Sequence, residues 1–451
     1  MKHPVALTVA GSDSGGGAGI EADLKTFAAL GVHGACAITA VTAQNTVAVT
    51  GVQEIDTELI EKQIRAVADD IGVDAAKTGM LSSSGIISCV ARYIGSRPVP
   101  LVVDPVMVSK SGAKLLRDDA IRNLQEELLP LATVVTPNIP EAEALTGVKI
   151  TQVREVREAA RVLVERFGPK ACVVKGGHLT GERCVDVLYV NGSFEELESP
   201  RVATKNTHGT GCVFSAAIAA ELAKGSGVIQ SVRTAKAFVT NAIIHSLGLG
   251  RGAGPVDPSS WLEIERERLL VLNKLKEALE VLESSPAVRR LVPEVRINLV
   301  MSLPARYAKG VSDVAGVPGR ITDVGDRVRA AAPPAFGASS HVARAVLKVM
   351  EHDDRVRAAA DIRFSDEILT AIRRLGLLVS SYDRKDEPPS VKKREGSTIQ
   401  WGVEQAIKKV GRVPDIICDP GGMGKEPIIK VLGRDAAEVA KTMVKIADGL
   451  R

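Results

Sequence analysis

Six short runs of β-branched and small apolar residues recur through the first half of the chain with helical patterns between them: "VALTVAG" (5–11), "ACAITAV" (35–41), "VPLVVDP" (99–105), "ATVVTPN" (132–138), "ACVVKGG" (171–177) and "CVDVLYV" (184–190). A near-continuous apolar strand is buried on both faces, and strands of this kind separated by helices build a parallel sheet with helices packed on each side. The pattern therefore sets the fold class as α/β, a mostly parallel sheet flanked by helices. Aromatic residues make up only 3% of the 451 residues, so the core covering that sheet has to be aliphatic.

A chain of this length exceeds what one core organises, and a prior of about 150 residues per domain suggests two or three. The pattern breaks at "GLGRGAGPVDPSS" (248–260), whose glycines, prolines and serines read as a linker. In the segment that follows, 261–283, Leu262, Leu269, Leu272, Leu275, Leu279 and Leu282 recur at helical spacing among charges, which predicts an amphipathic helix. A second α/β region starts near "VRINLVMSL" (295–303). The expected organisation is a first domain over 1–257, a linker over 258–269 and a smaller second α/β domain over 270–451.

A formal net charge of +4 is too small to act as an electrostatic footprint for nucleic acid, and no basic run interleaves with aromatics. Small-molecule partners are expected instead. The six cysteines (36, 89, 172, 184, 212 and 418) lie far apart, with no CxxC pair and no histidine at ligand spacing, so neither a zinc site nor a disulfide framework is indicated. Reduced thiols fit a cytoplasmic protein. No signal peptide and no apolar run of about 18 residues appears, so no membrane attachment is expected.

"GSDSGGGAGIEADLKTFAALG" (11–31) follows a strand and opens a helix, where free backbone N–H groups favour an anion or polar ligand. Its match to GxGxxA carries little, because the next strand ends in Thr42, Gln44 and Asn45 with no acid for a ribose. No GxxxxGK[ST] occurs, which excludes a P-loop. Polar residues gather at successive strand ends: Asp104, then Asn138 and Glu141, then Lys175. Ligands of open α/β sheets bind there; two carboxylates suit Mg²⁺ and a lysine suits a transferring phosphate. In "NTHGTGC" (206–212), Gly209, Thr210 and Gly211 form a tight turn into a helix, whose backbone N–H groups suit an anion. Cys212 admits two readings: a small buried residue, or a thiol whose pKa the helix N-terminus lowers from about 8.5 to the range of about 3.5–7.5, fitting it to accept a proton.

These motifs, together with "VTAQNT", "DPVM", "TPNIPEAEALTG" and "VKGGH", resemble the hydroxymethylpyrimidine and phosphomethylpyrimidine kinases of the ribokinase-like superfamily. The resemblance covers about residues 1–257. It implies two ATP-dependent phosphorylations, of an aminopyrimidine alcohol and then of its monophosphate. It also implies that Gln44 hydrogen-bonds the aminopyrimidine, that Gly11 and Asp23 lie close to the substrate, and that Met80 packs on its ring. Asp104, Asn138 and Glu141 would organise Mg²⁺, Lys175 would meet the phosphates, and Cys212 stands where most sugar kinases of the superfamily carry Asp. A pyridoxal-like ring is the alternative substrate.

Three glycine-containing clusters mark the second region: 315–328, 336–350 and 418–429. Ser339 or Ser340 is placed to cap a helix starting near Val342, with His341 beside it. Arg320 presents a planar fork that suits phosphate, and Lys425 sits in a loop with Gly421 and Gly422 that suits the same ligand. "PEVRINLVMSLP", "PGRI", "FGASSHVARA" and "DPGGMGKEP" resemble the archaeal thiamine-phosphate synthase domain, which couples the pyrimidine diphosphate to a thiazole phosphate and releases pyrophosphate. The resemblance implies Arg320 and His341 as its catalytic pair; a domain that only senses thiamine phosphates is the alternative. A homo-oligomer is expected.

Overall fold

The computed structural model describes residues 2–109, 112, 115–117, 119–177, 179–392, 396–422 and 425–450, and divides into two compact units, Met1–Leu262 and Glu263–Arg451. His178 of "VKGGH" and Met423 and Gly424 of "DPGGMGKEP" fall outside the described residues.

The first unit is built on β1 (Val5–Asp13), β2 (His33–Gln44), β3 (Val49–Glu54), β4 (Ala75–Thr78), β5 (Leu101–Val103), β6 (Val134–Val135), β7 (Ala171–Val174), β8 (Arg183–Val190) and β9 (Ser193–Pro200). They form one sheet in the order β3-β2-β1-β4-β5-β6-β7-β8-β9. The interior pairs from β2 to β7 are parallel, while β3, β8 and β9 pair antiparallel at the two edges. The expected mostly parallel sheet is present, and the run 184–190 belongs to its antiparallel margin.

Helices cover both faces. Alternate residues of β1 show why: Leu7 and Val9 join a core with α2 (Thr57–Asp70), α3 (Ser84–Gly95), α4 (Ala120–Asn123), α5 (Ile139–Thr146) and α6 (Val153–Phe167), packed largely from Ile, Leu, Val and Ala. Ala6 joins the opposite core, with α1 (Gly19–Ala29), α7 (Thr210–Ala223) and α8 (Val228–Ile244). Every residue of α7 from Val213 to Leu222 is buried, and its alanines let it lie close against the sheet.

The segment 248–260 does not behave as a linker. Ala253 N–H donates to the Thr46 carbonyl at 3.1 Å, Gly254 N–H donates to Asn206 Oδ1 at 3.1 Å, His208 N–H donates to the Gly254 carbonyl at 3.1 Å and Val256 N–H to the His208 carbonyl at 3.0 Å. Its glycines permit close approach: a Cβ at Gly252 would fall 1.9 Å from the Thr46 carbonyl oxygen. The segment is a packed strap that supports the loop carrying His208. Nor is 258–269 irregular, since α9 (Ser260–Ser284) already begins at Ser260 and the Trp261 ring packs at a tilt on Phe238, their centroids 5.3 Å apart.

The second unit contains a seven-stranded sheet made from β10 (Asn298–Ser302), β11 (Val314–Gly316), β14 (Ala335–Phe336), β15 (Ala358–Arg363), β16 (Val379–Ser381), β17 (Ile416–Asp419) and β18 (Ile428–Gly433), in the order β14-β11-β10-β15-β18-β17-β16; β12 (Ile321–Asp323) and β13 (Val328–Ala330) form a separate ribbon. Only β16 and β17 pair in parallel. One face packs on α10 (His341–Met350) and α13 (Ser397–Val410), which follows the short α12 (Pro389–Lys392). The other packs on α9, α11 (Asp366–Arg374) and α14 (Ala436–Asp448). No helix among the described residues is long and apolar enough to cross a membrane.

Candidate active sites

A cavity of 810 Å³ opens at the carboxyl ends of the parallel strands in the first unit. Gly11, Gln44, Met80, Asp104, Asn138, Glu141, Lys175, Gly209, Thr210, Gly211 and Cys212 all line it. At one end, a shift in the β1–β2 register around Gly11 turns the chain toward the cavity, and Met80 Sδ lies where a Gly11 Cβ would nearly touch it, at 3.2 Å. The Asp13 carboxylate then organises the glycine loop, accepting from Gly15 N–H at 2.8 Å, Gly17 N–H at 3.1 Å and Ala18 N–H at 2.8 Å.

Two loops far apart in sequence meet here. His208 Nε2 lies 2.8 Å from Asp13 Oδ2 and 3.3 Å from Gln44 Nε2. Gly209 has φ +80, and a Cβ there would fall 1.8 Å from the Gly17 carbonyl oxygen, so only glycine fits. Burial works to raise the Asp13 pKa, but the His208 hydrogen bond and the Gly15 and Ala18 N–H groups outweigh it and hold the group below the usual carboxylate range.

The opposite end carries the charges. Lys175 Nζ lies 3.0 Å from Asp104 Oδ1, and Gly211 rests on this pair: a Cβ there would be 3.3 Å from Lys175 Nζ. Asn138 and Glu141 form a capping box at the start of α5, Asn138 N–H donating to Glu141 Oε2 at 2.8 Å and Glu141 N–H to Asn138 Oδ1 at 2.9 Å. Asn138 thus orients Glu141. Burial, against the pull of Lys175 and with the charge of Asp104 adding to it, pushes Glu141 up to about 7. No group of three or more His, Cys, Asp or Glu side chains able to hold a metal occurs among the described residues. Two carboxylates without a cage are the donor set of a magnesium ion carried largely by nucleotide phosphates, and Asp104 and Glu141 fit that role.

Cys212 occupies the first turn of α7, whose N-cap Gly209 supplies no side-chain hydrogen bond; Thr210 N–H donates to the Thr207 carbonyl at 3.4 Å, and the Gly211 and Cys212 N–H groups remain for a ligand. The expected lowering of its pKa is reversed: burial pushes the thiol up to about 11, although the Lys77 ammonium pulls the other way. Desolvation outweighs the helix terminus. Asp23, expected close to the substrate, does not line the cavity; it is fully buried behind the wall, 2.8 Å from Lys77 Nζ and 2.6 Å from Thr8 Oγ1. Lys77 itself lines the cavity. Local pattern does not single out Lys77, Asp13 or His208; the available signal is a lysine inside the short buried strand "AAKT".

In the second unit, Arg320 has φ +72, a left-handed conformation costing about 1–2 kcal/mol for a residue with a side chain. Its guanidinium donates to the Val295 carbonyl. Glu426 accepts from Glu294 N–H at 2.9 Å and Val295 N–H at 3.1 Å, which ties the loop holding Gly421, Gly422 and Lys425 to the same corner. Gly422 and Lys425 close that loop on each other, and Gly421 N–H donates to Asp419 Oδ1 at 3.0 Å. The helix after Ser340 begins at His341, but neither serine caps it: Ser340 makes no side-chain cap bond, and the buried Ser339 hydroxyl instead accepts from Asn298 Nδ2 at 3.0 Å. Burial, reinforced by the charges of Lys430, Arg344 and Arg320 and opposed by Asp361, lowers the His341 pKa.

A ribokinase-like cleft with a glycine turn opening a helix, an ion-paired lysine and a thiol defines a small-molecule kinase. Residues 13–257 match the phosphomethylpyrimidine kinase family model, and residues 274–445 match that of thiamine-phosphate synthase ThiN. The chain belongs to the phosphomethylpyrimidine kinase family and carries a ThiN domain after it. The hydroxymethylpyrimidine/phosphomethylpyrimidine kinase of Haemophilus influenzae is 51% identical over 256 residues, 56% of this chain and 95% of that one. The thiamine biosynthesis bifunctional protein ThiED of Geobacter sulfurreducens is 49% identical over 58% of this chain and 54% of its own. Bacillus subtilis pyridoxal kinase, solved as an ADP complex, is 43% identical, covers 57% of this chain and 98% of its own, and has a TM-score of 0.54.

Proposed function

We propose that the chain carries out consecutive steps of thiamine biosynthesis. The first unit transfers a phosphoryl group from ATP to an aminopyrimidine alcohol and then to its monophosphate; the second couples the resulting diphosphate to a thiazole phosphate. The convergence of Gln44, Cys212 and the Asp104–Lys175 pair on one cavity carries the kinase reading. Gln44 both donates and accepts across a pyrimidine edge, and Met80 packs on the ring. Lys175 and the N–H groups of Gly209, Gly211 and Cys212 meet the transferring phosphate, with Thr210 holding the turn through Thr207, while Cys212, as thiolate, takes the hydroxyl proton. Magnesium, held by Asp104 and Glu141 with Asn138 orienting the latter, would neutralise phosphate charge.

For the second unit we assign Arg320 and His341 to the coupling reaction, with Lys425, Gly421, Gly422 and the Ser339–Ser340 turn on phosphate. Small molecules are the partners. The six free cysteines accord with a cytoplasmic enzyme, and a homo-oligomer is part of the same reading, tested by sedimentation.

The full chain incubated with ATP, magnesium, the aminopyrimidine alcohol and the thiazole phosphate should form thiamine monophosphate. Accumulation of pyrimidine diphosphate without product would leave the second unit as a sensor of thiamine phosphates. The likeness to pyridoxal kinase gives a second reading for the first unit, and a higher kcat/KM for pyridoxal than for the aminopyrimidine would favour it.

A further inference from the structure

The three central strands of the second sheet carry polar residues where apolar ones would pack. Asn298 on β10 stands opposite Asp361 on β15, and Asp361 opposite Lys430 on β18. The row lies on the face covered by α10, because Val300, Ala359 and Leu432, two residues along each strand, belong to the core that α10 helps to form. Lys430 Nζ is 2.7 Å from Asp361 Oδ1, with side-chain exposures of 5% and 13%. Asn298 bonds Ser339 and so fixes the turn before α10 over this row, and His341 opens the helix two residues later.

Burying an ion pair costs desolvation that mutual attraction repays poorly, and apolar side chains of similar volume hold a sheet as well or better. Stability therefore does not explain the pair. Its position does. Asp361 Oδ2 has no hydrogen-bond partner among the described residues, while Lys430 holds the other oxygen, so the carboxylate keeps one acceptor available beside the residues assigned to coupling.

We propose that Asp361, oriented by Lys430, is a catalytic residue of the second unit that accepts a hydrogen bond from the exocyclic amino group of the pyrimidine. This rests on the synthase reading of that unit. In the coupling, the bond between the pyrimidine methylene and pyrophosphate breaks with both electrons leaving on pyrophosphate. The thiazole nitrogen lone pair forms the new C–N bond and becomes the thiazolium, so no proton is lost from either ring. Positive charge spreads from the methylene onto the amino group as the leaving group departs, and a carboxylate accepting from that group stabilises it. Burial and the Lys430 charge lower the His341 pKa, while Asp361 itself pulls it the other way.

The test uses the full chain with Asp361→Asn, which keeps the shape but removes the charge, and the double variant Asp361→Leu/Lys430→Met, which removes the pair and leaves no buried charge unpaired. Thiamine monophosphate formation from supplied pyrimidine diphosphate should fall at least about 10²-fold in kcat for both, with the KM for thiazole phosphate within about threefold of wild type. The kinase rate of the same preparations should be unchanged. Asp361→Asn within about threefold of wild type, or a double variant that recovers activity along with thermal stability, overturns the proposal. Wild-type protein that makes no product overturns the synthase reading instead.

Discussion

His208 Nε2 and Asp13 Oδ2 lie 2.8 Å apart across 195 residues of sequence, and this contact clamps the Gly209–Gly211 turn to the glycine loop that opens α1. The Asp13 pKa in the folded chain lies below its unfolded value of 3.8. A group depressed in this way stabilises the folded state above its unfolded pKa and loses that contribution as pH falls through the folded one. Asp13→Asn should therefore lower the melting temperature of the kinase transition near neutral pH, and the gap to wild type should begin to narrow as pH falls below 3.8 and close only once the folded-state value is passed. A gap that persists unchanged in acid would show that the charge of Asp13 is not what holds the loops.

Cys212→Ala should preserve folding and nucleotide binding while lowering phosphorylation by roughly 10²–10⁴-fold, the effect of losing a general base. Since the thiol sits at about 11, its reactive thiolate grows with pH, and the wild-type single-turnover rate should climb between pH 7 and 10. Cys212→Asp should retain part of the activity without that climb. A flat wild-type profile would remove the thiolate from the mechanism.

Lys77→Met leaves Asp23 buried without its ion partner, a change that costs about 3–5 kcal/mol where a buried pair is broken from one side. Adding Asp23→Leu should return most of that stability, as followed by denaturant unfolding. If Lys77 matters only to folding, the double variant recovers phosphorylation too; the lysine beside the thiol predicts that it does not.

Gly209→Ala places a methyl group 1.8 Å from the Gly17 carbonyl oxygen on a backbone with φ +80. The two loops have to separate. A displacement of about 1 Å in a positioned site costs on the order of 10²-fold in rate, so kinase activity should fall at least that far. Coupling of supplied pyrimidine diphosphate, a property of the second unit, should be retained in the same protein. Wild-type kinase activity in Gly209→Ala would show that the loops tolerate separation.

Much of the first unit is legible in local pattern. The β-branched runs locate β1, β2 and β5 to β8, and the polar residues ending three of them, Asp104, Asn138 and Lys175, converge on one cavity. What escapes such reading depends on long-range partners. Lys77 and Asp23 are 54 residues apart, and nothing near "AAKT" announces the carboxylate that lets a lysine be buried there. The thiol fails differently: its helix terminus is visible in the sequence, whereas the desolvation that overrides it is not. In the second unit, strands as short as Val314–Gly316 do not encode their own pairing, so an antiparallel sheet and the Asn298–Asp361–Lys430 row emerge only once the strands are set side by side.

The glycine-rich strap at 248–257 has a practical consequence for anyone dissecting the chain. A boundary drawn where the composition loosens would cut away the backbone that His208 bonds to at Gly254 and Val256. A kinase fragment should instead run past Trp261, which still packs on Phe238. The same holds for grafting: a foreign module should follow this kinase only after the first turn of α9, because Ser260 and Trp261 are still held by Asn241 and Phe238 of α8.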